Sequence, residues 1–331
     1  MMFPEVRRRL RWAPLVLSLP AVPACDMVSG LDEFELSSES GASASGAGGS
    51  NTGGSTGVGT VGGAGGQGGA VCDSAAPLRG TPLVRHFINE GEGIILNSAP
   101  GLPDFPLTIS QGDNDPTWVV ETSHSALSWS TIQGSGKTSA QNLNQILPIA
   151  SSALTIEAVV RVVSVSNGPN VEDSSRILYV GSPSGEVGII SLGVRSVTPD
   201  GMATQFSLAG RRQSVNLNEV FGCWSYRLPT TAPMVVHVVF TTGAMGVKAD
   251  LYVDGVAQDR SSMIGCDGPG DDMGFLSFSD GDWYVLGNRQ AGGSSFGGSV
   301  YYAAVYGVAL DPGPAGEIMA NVDRLLCDDD S

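Results

Sequence analysis

The sequence after residue 71 predicts an all-β fold. The runs "LTIEAVVRVVSV" (154–165) and "PMVVHVVFTT" (233–242) are rich in Val and Ile, which favour strands over helices, and the first begins with strict alternation. Between them, "RILYVGS", "GIISLGVRS" and "TQFSLAG" are separated by Gly, Pro, Ser and Asp at intervals of roughly ten residues. This spacing is typical of a β-sandwich or a β-barrel.

Local signals predict one hairpin and one helix. In "ADLYVDGVAQD", Asp254 and Gly255 separate two alternating runs, and Asp-Gly is favoured in a type I′ turn because both positions need positive φ. Near the end, "DPGPAGEIMANVDRLL" offers Asp311 as the N-cap and Pro312 in the first turn, so we expect a short terminal helix there.

Composition divides the chain into three parts. Residues 1–24 read as a signal peptide, because "RRRLR" precedes the apolar run "APLVLSLPAVPA", which is too short to span a membrane. Residues 25–71 are predicted to be a disordered Gly/Ser-rich tether, since 41–70 hold no charge and no aromatic ring and have little to bury. Residues 72–331 form the domain.

The cysteine that follows the signal peptide is a candidate lipidation site. Val22-Pro23-Ala24-Cys25 resembles a bacterial lipobox, with departures at Val22 and Pro23. Lipidation of Cys25 would leave four of the five cysteines, an even set that can pair outside the cytoplasm. The alternative is a soluble secreted protein with a free thiol. We expect an exported lipoprotein, held in a membrane at the envelope or surface of a bacterium.

The charge of the chain bears on its partners. The formal net charge is −16 at pH 7, and nucleic-acid binding depends on neutralising phosphates with Lys and Arg. Nucleic acid is therefore not an expected partner, and the acidity fits a soluble extracellular surface.

Three sequence blocks follow one another in the order of a known family. They are "LTIEAVVRV", "HVVFTTGAMGVKADLYVDGV" and "LGNRQAGGSSFGGSVYYAAVYGVALDPGPAGEI", preceded by "LVRHFINEGEG" (83–93). Together they resemble laminin G-like domains of the concanavalin A-like lectin and glucanase superfamily over about residues 80–325. The resemblance implies a two-sheet antiparallel jelly-roll sandwich with its first and last strands side by side. Lectins, adhesion modules and hydrolases share that fold.

The resemblance also implies a pairing for the four remaining cysteines. Cys72 and Cys327 stand at the two ends of the domain, and neighbouring first and last strands would bring them together. Cys223 and Cys266 flank the "VVHVVF … LYVDGV" hairpin and should meet at one end of it. We therefore expect Cys72–Cys327 and Cys223–Cys266 among the three possible connectivities.

Catalytic motifs are missing from the domain sequence. Hydrolases of the resembling superfamily share a strand with Glu-x-Asp-x-(x)-Glu, whereas Glu157 and Glu186 stand alone here. His237 is expected to be a structural, partly buried residue. The stretch "GSGKTS" (134–139) is similar to part of a P-loop, but Thr131 occupies the place of the first Gly and no helical pattern follows. The sequence thus predicts a loop there, and no catalytic residue in the domain.

Aromatic residues are the candidate ligand-binding positions. Trp224 and Tyr226 in "CWSYR", and Trp283 and Tyr284 in "DWYV", could stack on sugars if loops expose them. The interpretation that we favour is packing of these rings beneath the loops.

Acidic loops offer a candidate calcium site. "GDNDP" contains Asp113 and Asp115, and "SDGDW" contains Asp280 and Asp282, which supply the oxygen ligands that Ca²⁺ takes. Ordinary turns select the same residue types, so both interpretations stay open. No other cofactor is predicted.

The combined features favour a surface-anchored, non-catalytic binding module. Its expected ligand is a glycan or an extracellular protein, and its other expected partner is the membrane that holds the lipid. A structural or interaction component of the envelope is the alternative, and a divergent glycoside hydrolase is the second alternative.

Overall fold

Two largely antiparallel β-sheets pack face to face in the computed structural model. The structure describes residues 77–100, 105–110, 116–121, 124–130, 132–141, 150–151, 153–168, 173–181, 188–211, 218–243, 246–261, 266, 276–277 and 282–326. All of them belong to one compact unit, 66–331. The predicted signal peptide and tether, with Cys25, lie outside the described residues, as do Cys72 and Cys327.

Sheet I contains eight strands, numbered like all others in chain order. Across the sheet they are β15 (Val256–Ala257), β14 (Gly246–Val253), β13 (Met234–Gly243), β7 (Ala153–Ser164), β18 (Gly297–Tyr306), β4 (His124–Trp129) and β3 (Thr117–Glu121), with β1 (Pro82–Phe87) also paired to β18. Because β1 and β18 are paired, the first and last strands are neighbours, as expected.

Sheet II also contains eight strands. Across the sheet they are β12 (Asn218–Ser225), β11 (Thr204–Arg211), β10 (Gly188–Ser196), β9 (Ser175–Gly181), β17 (Trp283–Leu286), β5 (Thr138–Gln141) and β2 (Thr108–Ile109), with β8 (Ser166–Asn167) parallel to β10. A separate pair joins β6 (Ala150–Ser151) to β16 (Leu276–Ser277). The all-β sandwich predicted from the sequence is thus confirmed.

Strand alternation sorts the side chains of sheet I between two cores. On β7, Leu154, Ile156 and Ala158 face sheet II and belong to the main core, whereas Val159 belongs to a second apolar cluster on the outer face. Glu157 is two residues before Val159, so its side chain is on the same outer face, and it is also buried. A strand buried on both faces needs cover on its outer side, and a helix provides it.

The outer face of sheet I is covered by helix α1 (Glu317–Leu325). Ile318, Val322 and Leu325 of the helix join Val235 and Val239 of β13 in the second apolar cluster. This amphipathic packing is the source of most helix stability in a segment of this length. Within the described part of the chain, no helix is long and apolar enough to cross a membrane.

The helix begins later than the sequence predicted, so the expected cap at Asp311 is wrong. The N-cap is Gly316, and Asp311 instead accepts hydrogen bonds from the backbone N–H groups of Gly313 to its side chain and of Ile318 to its carbonyl. Pro314 disfavours helical φ and ψ at Gly313, and a Cβ at Gly316 would stand 2.3 Å from the Asp311 carbonyl oxygen. A tight turn therefore precedes the helix.

The predicted Asp-Gly hairpin is confirmed. Asp254 and Gly255 have φ values of 49° and 77° and connect β14 to β15. Asp254 also fixes the turn to the neighbouring strand, because its Oδ1 accepts from Val235 N at 2.8 Å. Two positive φ values agree with the type I′ geometry that Asp-Gly favours.

A pair of glycine substitutions should separate backbone strain from steric overlap. Gly201 and Gly287 share a φ of +74°, but a Cβ at Gly201 meets nothing within 4 Å, whereas one at Gly287 would lie 2.1 Å from the buried Trp129 ring. We expect Gly201→Ala to cost about 1–2 kcal/mol of unfolding free energy. Gly287→Ala should cost about 1–3 kcal/mol more, because the ring cannot move within the packed core.

Urea unfolding of the two variants and the wild type measures both costs. Gly201→Ala is the matched control, since it carries the backbone strain without the overlap. Equal losses in the two variants would contradict the packing of Trp129 against Gly287.

Candidate functional site

Two of the four aromatic candidates are buried in the main core and cannot stack on a sugar. Trp224 on β12 is paired with Phe206 on β11, and Tyr284 on β17 is paired with Val180 on β9. Alternation therefore directs both rings between the sheets. Tyr284 also stacks on His86 with ring centroids 5.9 Å apart, and burial lowers the pKa of His86 to about 4. The ligand-binding prediction is therefore wrong for Trp224 and Tyr284, and the favoured packing interpretation holds for them.

The other two aromatic candidates are half-buried. Tyr226 packs against Phe206 with ring centroids 5.5 Å apart, at the edge of the main core. Trp283 opens β17 on the opposite face from Tyr284. A ligand-binding role for Tyr226 and Trp283 stays a prediction.

The calcium candidates fall mostly outside the described residues. The structure does not describe Asp113, Asp115 and Asp280. It describes Asp282, which is buried. Among the described residues, no group of three or more His, Cys, Asp or Glu side chains is arranged to hold a metal ion. Calcium stays a prediction.

The predicted Cys223–Cys266 disulfide is present, with a Cα–Cα distance of 5.6 Å. Arg195 on β10 is fully buried beside it, with Nη2 3.7 Å from Cys266 Sγ and 4.0 Å from Cys223 Sγ. With its carboxamide oxygen toward the guanidinium, Gln205 accepts from Arg195 Nη2 at 2.6 Å and from Nε at 2.7 Å. The disulfide, the arginine and the amide thus join three adjacent strands of sheet II to Cys266.

The P-loop-like stretch is a structural loop followed by strand β5. Asn288 Nδ2 donates to the carbonyl oxygens of Gly134 at 2.9 Å and Gly136 at 2.8 Å. Lys137 Nζ donates to the Gln290 carbonyl, so it too holds the neighbouring loop. A phosphate cradle would need a helix at this point, and a strand is present instead.

A buried carboxylate network, which the sequence did not reveal, lies on the outer face of sheet I. Glu157 Oε2 accepts from His237 Nε2 at 2.7 Å and from Asn321 Nδ2 at 2.8 Å. Glu157 Oε1 accepts from the hydroxyls of Tyr306 at 2.7 Å and Tyr302 at 2.9 Å. All five side chains are almost completely buried.

The network joins four separate elements around one negative charge. Glu157 is on β7, His237 on β13, and the two tyrosines are on β18. Asn321 is on helix α1, and it also binds the segment before β1, since its Oδ1 accepts from Arg79 N at 2.6 Å. His237 is thus a structural residue, as predicted, and it is fully rather than partly buried.

Electrostatics keep this carboxylate ionised. Burial alone would raise the pKa of Glu157, but the hydrogen bond and charge of His237, with the bonds from Tyr306 and Asn321, outweigh it and hold the pKa below its usual value of 4.5. Burial and the charge of Glu157 raise the pKa of Tyr302 and Tyr306, so both phenols keep the protons that they donate. Since no member is exposed, the network positions helix α1 and offers no surface to a substrate.

The outer face of sheet II has a different character. The side of sheet II that points away from sheet I presents a row of small and polar side chains, which we call the outer polar face. It is defined by Ser139, Arg176, Tyr179, Ser191 and Ser207, which cross-strand register and alternation place on one side of the sheet. All five residues are buried, with at most 6% of any one exposed.

One hydroxyl on this face has no hydrogen-bond partner among the described residues. It belongs to Ser191, which is 3% exposed and sits opposite Tyr179 in the β9–β10 register. Ser207, in contrast, shares a hydrogen bond of 2.7 Å with Ser174 Oγ. The loss of these two hydroxyls should therefore differ in its effect on stability.

Charged groups gather around Tyr179. Burial and the negative charge of Asp282 raise the pKa of Tyr179 to about 12, whereas the positive charges of Arg289 and Arg176 act in the opposite direction. The Tyr179 phenol therefore keeps its proton at physiological pH.

Sequence reasoning missed this face, although one signal was available. In "IISLGVRS", Ile190, Leu192 and Val194 alternate with Ser191 and Gly193, a pattern of a strand with one apolar and one polar side. The pattern does not say which polar side chains from other strands lie beside Ser191, since that depends on the register.

This chain is similar to parts of several solved structures, while no protein-family model and no curated protein matches it. Trypanosoma rangeli sialidase in complex with sialic acid matches with a TM-score of 0.42 and 14% identity, covering 72% of this chain and 32% of that chain. A SAP-like pentraxin from Limulus polyphemus matches with a TM-score of 0.37 and 13% identity, covering 59% of this chain and 81% of that chain. The CBM40 of Ruminococcus gnavus IT-sialidase, bound to α2,3-sialyllactose, matches with a TM-score of 0.35 and 14% identity, covering 56% of this chain and 92% of that chain. At these values the similarity does not say what this chain binds.

Removing the buried carboxylate should loosen the sheet and the helix together. Glu157→Gln leaves donors of Tyr306 and Asn321 without their charged acceptor, and we expect it to lower the free energy of unfolding by about 3–5 kcal/mol at pH 7. Glu92→Gln, at an exposed position, is the matched control and should change it by less than about 0.5 kcal/mol.

The stabilisation by Glu157 should also depend on pH. Because the folded pKa lies below the usual 4.5, the contribution is complete above that pH and is lost as the pH falls through the folded value. Thermal unfolding of wild type and Glu157→Gln between pH 7 and pH 3 measures the difference, which should shrink on acidification. A difference that stays constant over this range would be inconsistent with an ionised Glu157.

Two serine substitutions on the outer polar face should have opposite effects on stability. Ser207→Ala removes a partner of Ser174 and should cost about 1–3 kcal/mol of unfolding free energy. Ser191→Ala removes a hydroxyl that bonds to none of the described residues and should leave stability unchanged or raise it by up to about 1 kcal/mol. Chemical unfolding of both variants tests this, and a comparable loss in Ser191→Ala would show that its hydroxyl is already satisfied.

Proposed function

We propose that the domain is a non-catalytic binding module whose ligand is a glycan or an extracellular protein. The observation that carries the proposal is the two-sheet antiparallel sandwich with its first and last strands paired, the architecture that the resemblance to laminin G-like domains implied. Trp283 is half-buried on the outer side of sheet II, and it is the side chain that we expect to contact a ligand.

The support for a non-catalytic role comes from the carboxylates. Glycoside hydrolysis generally requires two carboxyl groups flanking the scissile bond. Among the described residues, Asp282 is buried directly before β17 of sheet II. Glu157 is on the other sheet and is committed to four hydrogen bonds beneath helix α1. We further propose that the domain is laminin G-like, in keeping with the three sequence blocks and the paired first and last strands.

The proposed location is a bacterial membrane surface, with lipid on Cys25. The arginine-rich leader, the small residues before Cys25 and the odd cysteine count support this part of the proposal. The Gly/Ser-rich segment 25–71 would then separate the binding domain from the lipid.

Binding to a glycan array tests the function. We expect at least one glycan to bind the purified domain without being cleaved, and we expect Trp283→Ala to weaken binding by on the order of 1 kcal/mol, a several-fold loss of affinity. Tyr252→Phe on sheet I is the matched control and should bind as wild type does. Absence of any glycan ligand would overturn the assignment of a glycan, and turnover of a bound polysaccharide would establish a hydrolase instead.

A separate experiment tests the anchor. Cys25→Ser should release the protein from the membrane fraction into the soluble fraction, because stable anchoring depends on acyl chains attached at this residue. Cys223→Ser, which leaves the lipidation site intact, should remain in the membrane fraction. Membrane association of Cys25→Ser that only detergent removes would contradict the lipoprotein hypothesis.

A further inference from the structure

We infer that one water molecule is bound in the core between the two sheets, where it joins the imidazole of His86 on β1 to the phenol of Tyr284 on β17. The inference does not depend on the proposed function. It is carried by two buried polar atoms of complementary chemistry, one on a strand of each sheet.

Both side chains point into the main core. Val84 belongs to that core, and His86 is two residues further along β1, so alternation places its ring on the same inward side. Tyr284 enters the core from sheet II. Neither residue is exposed to solvent, and their rings stack with centroids 5.9 Å apart at an interplanar angle of 25°. The two polar side chains therefore meet inside the sandwich.

The His86 imidazole presents a hydrogen-bond acceptor to this interior. The carbonyl oxygen of Phe105 lies 2.8 Å from His86 Nε2, and since a carbonyl can only accept, Nε2 carries the proton. Burial lowers the pKa of His86 to about 4, so the ring is neutral at pH 7 and Nδ1 keeps its lone pair. Nδ1 is buried without a hydrogen-bond partner among the described residues. It needs a donor.

The Tyr284 phenol has the complementary need for an acceptor. Burial raises its pKa, so it keeps its proton, and its hydroxyl is also buried without a partner in the described part of the chain. The residues paired with the two side chains across the strands are Ala303, Ala140 and Val180. None of these three has a polar side-chain atom, so none can satisfy His86 or Tyr284.

One water molecule satisfies both atoms at once, because it can accept a hydrogen bond from the Tyr284 hydroxyl and donate one to His86 Nδ1. Buried waters typically make about three hydrogen bonds to polar groups that lack other partners. Thr138 supplies a third such atom. It is two residues before Ala140 on β5, on the same inward side, and its Oγ1 is buried and unpaired among the described residues.

Oxygen-17 magnetic relaxation dispersion counts the water molecules held inside a protein, without interference from exchanging hydroxyl protons. We expect the dispersion of the full-length protein to decrease by the amplitude of one water molecule in Tyr284→Phe, because the water loses its donor. A high-resolution crystal structure should place a water oxygen about 2.7–3.2 Å from both Tyr284 Oη and His86 Nδ1.

The sign of a stability change gives a second test. Removing a hydroxyl that has no partner should stabilise the fold, whereas removing one that bonds to a bound water should destabilise it. We expect Tyr284→Phe and Thr138→Val each to raise the equilibrium constant of unfolding by about two- to tenfold at pH 7. Tyr252→Phe, the same change on a half-buried ring of sheet I, is the matched control and should alter it by less than about twofold.

Each result bears on the inference separately. An unchanged dispersion amplitude in Tyr284→Phe would overturn it, as would a crystal structure in which the phenol bonds directly to His86 Nδ1. A Tyr284→Phe variant more stable than the wild type would show that the hydroxyl is unpaired, which also overturns it. A Thr138→Val variant as stable as the wild type would remove Thr138 from the site and leave the bridge between His86 and Tyr284. None of these measurements depends on ligand binding, so the inference and the proposed function can fail independently.

Discussion

The fold of sheet I depends on one buried negative charge. Burying a carboxylate without partners is costly, and Glu157 is tolerated because β13, β18 and helix α1 each bring a donor to it. The buried charge in turn constrains the helix, since Asn321 reaches the Glu157 carboxylate only when α1 lies on the outer face of the sheet. The charge thereby specifies where the last helix packs, while the surrounding valines supply most of the apolar burial.

The two outer faces of the sandwich differ in the side chains that they present. Helix α1 covers the outer face of sheet I, whose exposed side would otherwise be apolar around Val159 and Val235. The outer face of sheet II is built from serines, an arginine and a tyrosine, which an apolar helix face could not cover without leaving polar groups unpaired.

Features decided by short stretches of sequence were predictable, and those decided by register were not. The β7 strand and the Asp254–Gly255 turn follow from alternation and local φ preferences. The helix start was predicted too early because the close approach of Gly316 to the Asp311 carbonyl sets the turn before the helix. A local capping preference does not report that contact. Trp224 and Tyr284 stayed candidate ligand contacts beside the favoured packing interpretation, because a shift of one residue along a strand exchanges the core face for the outer face. Glu157 looked isolated because its partners stand between 80 and 164 residues away in the chain.

The strands of sheet II are cross-linked near one end of the sandwich. Arg195, Gln205 and the Cys223–Cys266 disulfide hold β10, β11 and β12 together. Because the Arg195 guanidinium is fully buried, its charge needs polar partners, and the Gln205 carboxamide oxygen on the next strand is one of them. A buried charge with a partner on a neighbouring element therefore helps to specify the packing in both sheets, through Glu157 in sheet I and through Arg195 in sheet II.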